Sequence, residues 1–467
     1  MRATAGATRA AAEPVRLRRY RLRDLSPAER LGLTVRSAGT GADVRDGARA
    51  IVAAVRAGGD AALREYGATL GGAWTDGLPA GAPADAPVPI RVPDRLLSAA
   101  ADALLPGLRD ALLLMARNIA AFHGAQLPPA EQWVDVAPGI RVGRVWRPID
   151  RIGVYVPGGE AAYPSSLLMG VIPARLAGVK GIAVASPAGR DGRISPTLLG
   201  AAGLLGVEEF YAVGGAQAIA ALAYGTETVR AVDRIVGPGN AWVTAAKLEV
   251  LGDVGIDMPA GPSEVMVLAD ATADPAHVAA DLMSQAEHGP DSAAVLVTTD
   301  EGLAGAVEGE LDRQLPAQPR LRFLASSLRS AGLILVADGM DDALAFVNAY
   351  APEHLSVSAA DAPALLPRIR HAGSVFLGAF APESAGDYAT GSNHVLPTGR
   401  LARVYGPLSV EDCGHWMQAQ VVSRDGLASI ADAVAVVAEA EGLLAHRHAV
   451  EIRFAGEPGR RPAEDRP

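Results

Sequence analysis

The run Arg151-Ile-Gly-Val-Tyr-Val-Pro-Gly-Gly159 is a short β-branched stretch that stops at a Pro-Gly-Gly turn. A few apolar residues closed by a turn fit a buried strand. The same pattern recurs along the chain. Residues 152–156, 182–185, 210–213, 234–236, 265–268, 294–297, 333–336 and 375–377 all read as strands. Ala- and Leu-rich helical stretches separate nearly all of them. That alternation implies parallel sheets joined by crossover helices, so the expected fold is α/β.

Working outward, a helical pattern dominates 44–66 and 93–122, with a Gly-, Ala- and Pro-dense segment between them at 71–89 that reads as a surface insertion. The Pro/Gly-rich break Met258-Pro-Ala-Gly-Pro-Ser263 reads as a lobe boundary. After Gly386 the chain reads as loop-rich, then as one helix over about 427–446, a tail suited to packing on a partner subunit. A chain of 467 residues exceeds one ordinary core. The expected organisation is a flexible extension over 1–30, a lobe of 31–150 with 264–400, a lobe of 151–263, a tail of 401–455 and a disordered end over 456–467.

Composition narrows the function classes. Apolar residues make up 49% and charged residues 20%, a globular balance. The net charge of −10 and the scattered arginines give no electrostatic reason to expect nucleic acid. Lysine occurs only at Lys180 and Lys247, which reads as a compositional bias toward Arg. The single cysteine, Cys413, excludes an intramolecular disulfide and a Cys-based zinc cluster, and fits a cytoplasmic protein. No apolar run approaches a membrane span, and the start has no signal-peptide core.

Four segments carry candidate chemistry. Asp274-Pro275 opens a helix that Gly289-Pro290 stops, and Gln285 and His288, three apart, share a face of its last turn. They suit a zinc site, or equally a dipole-favoured His beside a solvated Gln. Ala351-Pro-Glu-His-Leu355 reads as a loop or turn, because Pro352 biases Ala351 away from helix. Glu353 and His354 on it are an acid/base pair or two ordinary polar residues. In Ser384-Ala-Gly-Asp387-Tyr-Ala-Thr-Gly-Ser-Asn-His394-Val, Asp387 is a possible metal ligand or part of a common turn. Glu441-Gly-Leu-Leu-Ala-His446-Arg-His448 offers a His ligand or cations at a helix end. No G-x-G-x-x-G fingerprint occurs in the parallel-sheet region. Instead Tyr155-Val-Pro-Gly-Gly159, Val213-Gly-Gly-Ala-Gln217 and Val236-Gly-Pro-Gly-Asn240 put glycines at three strand ends, where open α/β sheets bind ligands.

Taken in order, Arg151-Ile-Gly-Val-Tyr-Val-Pro-Gly-Gly159, Gly214-Gly-Ala-Gln-Ala-Ile-Ala-Ala-Leu222, Gly237-Pro-Gly-Asn240, Ala260-Gly-Pro-Ser-Glu264, Ser284-Gln-Ala-Glu-His-Gly-Pro-Asp291, Ala351-Pro-Glu-His-Leu355 and Ser392-Asn-His-Val-Leu-Pro-Thr398 resemble the histidinol dehydrogenase family over roughly 44–453. The resemblance implies two incomplete Rossmann-like domains, with zinc and catalysis in 31–150 plus 264–400 and NAD in 151–263. It implies Gln285, His288, Asp387 and His446 as zinc ligands and Glu353 and His354 as the catalytic pair. Ser263 and Glu441 would bind substrate alongside His354 and the metal ligands, and Tyr155, Gln217 and Asn240 would line the NAD site. It further implies a homodimer in which the tail completes the partner's site, so that Glu441 and His446 act in trans. The activity implied is the zinc-dependent, four-electron oxidation of L-histidinol to L-histidine through bound histidinal, with two NAD reduced, at the end of histidine biosynthesis. Two stretches depart from the family pattern, the long insertion over 71–89 and Val410-Glu-Asp-Cys-Gly-His-Trp416, and neither carries the chemistry. The nearest rival is a related zinc- and NAD-linked dehydrogenase for another small amino alcohol or diol. A noncatalytic zinc and nucleotide binder leaves the Glu353-His354 pair idle, and a zinc hydrolase leaves the three glycine turns unexplained.

Overall fold

The computed structural model describes residues 15–36, 41–79, 81–83, 86–158 and 162–455. Residues 1–14 of the expected extension, the expected disordered end 456–467, Gly159 of the first glycine turn and positions 80, 84 and 85 of the insertion lie outside the described residues. The strands are β1 (Arg18–Arg21), β2 (Glu131–Ala137), β3 (Ile140–Pro148), β4 (Arg151–Tyr155), β5 (Gly181–Ala185), β6 (Glu209–Tyr211), β7 (Arg234–Val236), β8 (Gly255–Ile256), β9 (Glu264–Ala269), β10 (Ala293–Thr298), β11 (Leu333–Val336), β12 (His354–Ser358), β13 (Ser374–Leu377) and β14 (Gly414–Val422). The chain forms two compact units. One contains the described residues up to Leu127 together with Ile149–Cys413, and the other contains Pro128–Pro148 together with the chain from Gly414.

The first unit holds two sheets, ordered β6-β5-β4-β7-β8 and β1-β11-β10-β9-β12-β13. Every pairing in them is parallel, as the alternation of strand and helix predicts. Parallel strands covered on both faces read as continuous apolar runs, and β9 is buried at all six positions. The strand order reverses around β4 in the first sheet and around β9 in the second, which opens a crevice at each of these points.

All eight expected strands are present within one or two residues at their ends. Three elements of this unit were not foreseen as strands. Residues 18–21, inside the stretch expected to be a flexible extension, pair with β11, and Leu22 beside them is fully buried. The short β8 borders β7. The third, β12, corrects the expected loop at 351–355. Pro352 does keep Ala351 out of the helix, and Ala351 takes a left-handed φ of 50°. The chain then enters the sheet at once, because Leu355 and Val357 alternate with Ser356 and fill the core between β9 and β13. The pattern over 93–122 is two helices, Asp94–Asp102 and Pro106–Gly124, since Pro106 starts a new one. The insertion is not wholly superficial, because Trp74 is buried in the core.

The second unit is an antiparallel sheet, β14-β3-β2, followed by helices Arg424–Ala440 and Leu444–Glu451. Here β14 replaces part of the expected loop. The expected single helix over 427–446 is broken, because Gly442 takes a φ of 72° that stops the first helix. Among the described residues no helix is long and apolar enough to cross a membrane.

Candidate active site

The register sets His354 of β12 opposite Val265 of β9, so Glu353 arrives beside Glu264 at the amino ends of these strands. The Glu264 N–H donates to Glu353 Oε2 at 2.7 Å. The Glu264 carbonyl lies 3.1 Å from His354 Nδ1. A carbonyl only accepts, so Nδ1 carries the proton and Nε2 is left as the basic nitrogen. Nε2 is buried without a hydrogen-bond partner among the described residues, 3.6 Å from Asp387 Oδ1. Glu264 is itself clamped. Arg36 grips its carboxylate through two bonds of 2.7 and 2.8 Å and stacks 3.3 Å from the Tyr350 ring. One residue thus holds both members of the acid/base pair through its backbone and is anchored through its side chain. Immediately upstream, Ala351 stores the strain of a left-handed conformation, about 1–3 kcal/mol for a residue with a Cβ.

Helix Pro275–Ala286, capped by Asp274, places Gln285 in its last turn. His288 lies two residues beyond the helix end, its N–H donating to the Gln285 carbonyl at 3.1 Å. This differs from the expected shared face of the last turn, because the helix stops at Ala286. The short helix Glu383–Tyr388 presents Glu383 and Asp387, four apart, on one face. One ligand atom each from His288, Glu383 and Asp387 falls within 4.8 Å of the others. The Gln285 amide pairs donors with acceptors when its nitrogen faces Glu383 Oε1 at 2.7 Å and its oxygen faces the Glu264 N–H at 3.3 Å. Turned over, its oxygen meets the carboxylate instead, an arrangement that only a cation or a proton stabilises. Three of the four expected ligands, Gln285, His288 and Asp387, therefore converge. Glu441 and His446 belong to the second unit, where both are exposed.

The electrostatics of the cluster suit a cation. Burial pushes Glu383 up to about 8, opposed by His354 and reinforced by Asp387, Glu353 and Asp281. Asp281, one helical turn before Gln285, is pushed up to about 6 by burial. Glu353 is also raised by burial, against the pull of His354. Burial lowers His354, yet Glu353, Glu383 and Asp387 outweigh it and hold the imidazole well above its usual range. Asp387 is held below its usual range because His354 overcomes burial. Three carboxyls, Glu353, Glu383 and Asp387, thus surround one buried imidazole, and Glu383 Oε2 has no hydrogen-bond partner among the described residues. Nitrogen and oxygen donors with excess negative charge are the donor set of a divalent zinc-like ion.

These groups open on a cleft of about 550 Å³ lined by Ser263, His288, Glu353, His354 and Asp387 on one side and by Pro238, Gly239 and Asn240 on the other. The cleft therefore joins the amino edge of the six-stranded sheet to the carboxyl edge of the five-stranded one. Asn240 lines it and caps helix Ala241–Val250 by accepting from the Trp242 and Val243 N–H groups. Tyr155 ends β4, and its buried hydroxyl accepts from the Gly215 N–H at 3.1 Å. Gln217 is buried in the first turn of helix Gly215–Tyr224.

A histidinol dehydrogenase family model matches residues 35–454. The chain belongs to the histidinol dehydrogenase family. Histidinol dehydrogenase from Natronomonas pharaonis is 48% identical over 92% of this chain and 98% of its own. That of Methanosarcina mazei is 43% identical over 94% and 98%. The crystal structure of the Elizabethkingia anophelis histidinol dehydrogenase superposes with a TM-score of 0.86 at 38% identity, covering 94% of this chain and 98% of that one.

Three residues of this cluster carry no role in the sequence reading. Glu383 stands four residues before Asp387, and Asp281 four before Gln285, so helical spacing from the chosen ligands marks both. His394 lies in a quoted motif but was given no role. Its Nε2 is 3.0 Å from Ser166 Oγ and its Nδ1 3.2 Å from the Asp387 carbonyl.

Proposed function

We propose that this histidinol dehydrogenase oxidises L-histidinol to L-histidine in two NAD-linked steps at one zinc-dependent site. The observation that carries the reading is His354, with its proton held at Nδ1 by Glu264 and its partnerless Nε2 among the cleft-lining residues. With a divalent ion offsetting the carboxylates that otherwise keep the imidazole protonated, Nε2 takes the proton of the carbinol hydroxyl as hydride passes to NAD, and it releases that proton to water before the second oxidation. Glu353, buried beside it, then helps one water add to the aldehyde carbon. Nε2 takes the hydroxyl proton of the hydrate as the second hydride leaves to a second NAD. A zinc ion, when bound, would be held by Gln285, His288 and Asp387 with His446 of a second copy, and would anchor the substrate and offset the surrounding carboxylates. Ser263 and the second copy's Glu441 complete the substrate pocket, and residues 151–263 carry NAD through Tyr155, Gln217 and Asn240. With limiting histidinol the yield is two NADH per histidine formed, followed by absorbance and amino-acid analysis. One NADH with free aldehyde accumulating overturns the four-electron reading.

Contribution of the tail in trans is supported by the second unit's surface. Val134, Val136, Val421, Val436, Val437 and Leu444 are all exposed there, and an apolar surface of this kind suits a partner. His354→Ala and His446→Ala chains are each inactive alone. Mixed and refolded together, they recover activity, because one site of each heterodimer carries neither substitution. No recovery despite heterodimer formation means the tail serves its own chain.

A further inference from the structure

Lys247 and Asp257 form a buried ion pair with no part in the chemistry above. In a chain whose other cations are nearly all Arg, lysine stands at only two positions. The side chains of Lys247 and Asp257 are 4% and 1% exposed. Lys247, in helix Ala241–Val250, donates from Nζ to Asp257 Oδ1 at 2.7 Å and to the Gly237 carbonyl at 2.5 Å. Asp257 accepts from the Gly237 N–H at 2.8 Å and from the Met258 N–H at 2.7 Å. Both polar backbone groups of Gly237 therefore end on this pair.

Gly237 opens the third glycine turn. Its φ is 115°, and a Cβ there would stand 2.1 Å from the Tyr155 carbonyl oxygen. The backbone conformation is thus one that only glycine adopts, and it needs partners to hold it. Downstream of the turn lies Asn240. Downstream of Asp257 and Met258 lies the segment Ala260-Gly-Pro-Ser263, which lines the same cleft. A further bond, Thr244 Oγ1 to the Ala260 carbonyl at 2.6 Å, runs between the same helix and that segment. The pair is therefore the joint between the turn bearing Asn240 and the segment bearing Ser263.

We propose that Lys247 and Asp257 are positioning residues that hold the Gly237–Asn240 turn in the shape that receives the dinucleotide, at a fixed distance from the Ser263 segment. The inference rests on the NAD reading above. A compact ammonium fits between one carboxylate and one carbonyl, whereas a planar guanidinium carries its donors in a wider fork. That accounts for lysine in an arginine-rich chain. A buried pair adds little net stability over apolar residues of like volume, so its effect is expected on binding geometry.

The test compares wild type with Lys247→Met/Asp257→Leu, which removes both charges together and preserves the packing. NAD dissociation constants, KM for NAD, kcat, zinc content and Tm are measured on the intact enzyme. The expected result is a roughly ten-fold rise in Kd and KM for NAD, the scale of two lost hydrogen bonds. Zinc content and kcat at saturating NAD stay within about two-fold. Lys247→Arg also raises Kd for NAD, because the wider guanidinium fork does not fit between the Asp257 carboxylate and the Gly237 carbonyl. A double variant that folds and binds NAD as tightly as wild type overturns the proposal. Should the variants not fold, hydrogen exchange on wild type decides. NAD slows exchange over 236–243 if the turn is the receiving element, and no change there overturns it. Wild type that fails to bind NAD at all refutes the NAD reading instead.

Discussion

His354→Ala lowers the rate of histidinol oxidation and of histidinal oxidation alike, by about two to four orders of magnitude, the usual cost of a positioned general base. Both half-reactions require a proton to leave a hydroxyl as hydride leaves the same carbon, and one nitrogen is assigned to both. The Glu264 carbonyl fixes which nitrogen that is. Glu353→Gln behaves differently. Its carboxylate is committed to the Glu264 N–H on one side, and its proposed work is the addition of water between the two hydride transfers. The aldehyde step therefore falls more than the alcohol step, with zinc content near normal. Each variant is assayed with each substrate at saturating NAD. Equal slowing of both steps by Glu353→Gln shows that the pair acts as a unit, and wild-type rates in His354→Ala remove β12 from the chemistry.

On the zinc reading, chelation is expected to abolish activity and zinc to restore it. His288→Ala and Asp387→Ala each lower zinc affinity by more than about a hundredfold, since even partners of a ligand typically contribute ten- to a hundredfold. Glu383→Gln loses about ten- to a hundredfold, because it removes a buried carboxyl that can ionise beside a cation and that touches the Gln285 amide. Acid weakens binding in wild type, because metal ligands bind in their deprotonated forms. Zinc retained after dialysis, measured by atomic emission, reads all three. Full zinc content in both ligand variants refutes the assignment. Glu383→Gln with unchanged zinc confines that carboxylate to packing.

Much of this was legible before any coordinate. The parallel sheets follow from strand-and-turn grammar, because buried strands are short, β-branched and punctuated by glycine. The family resemblance implies roles for Gln285, His288, Asp387, Glu353 and His354, of which all but Asp387 stand in the ordered motifs, and the fold brings His354, Asp387 and His288 to one cleft. What escaped detection was burial. Glu383 looks like an ordinary helix-start carboxylate, and only packing makes it a fully enclosed one. Nor does β12 announce itself, since its five residues carry two polar serines and a histidine that pass for a loop. Their apolar partners lie far away in sequence, at Val265 and Val375. Arg36 is equally silent, because its carboxylate partner stands more than two hundred residues downstream.

The acid/base pair opens a strand that is hydrogen-bonded on both sides, so it has little freedom to swing. Under the two-oxidation scheme one spent dinucleotide must depart and a fresh one arrive while the aldehyde stays tethered. The six-stranded sheet then works as a fixed jig, and traffic falls to the glycine turns across the cleft. On that scheme the exchange of dinucleotide within a turnover is a step of the glycine turns, separate from the bond breaking that the sheet holds in place.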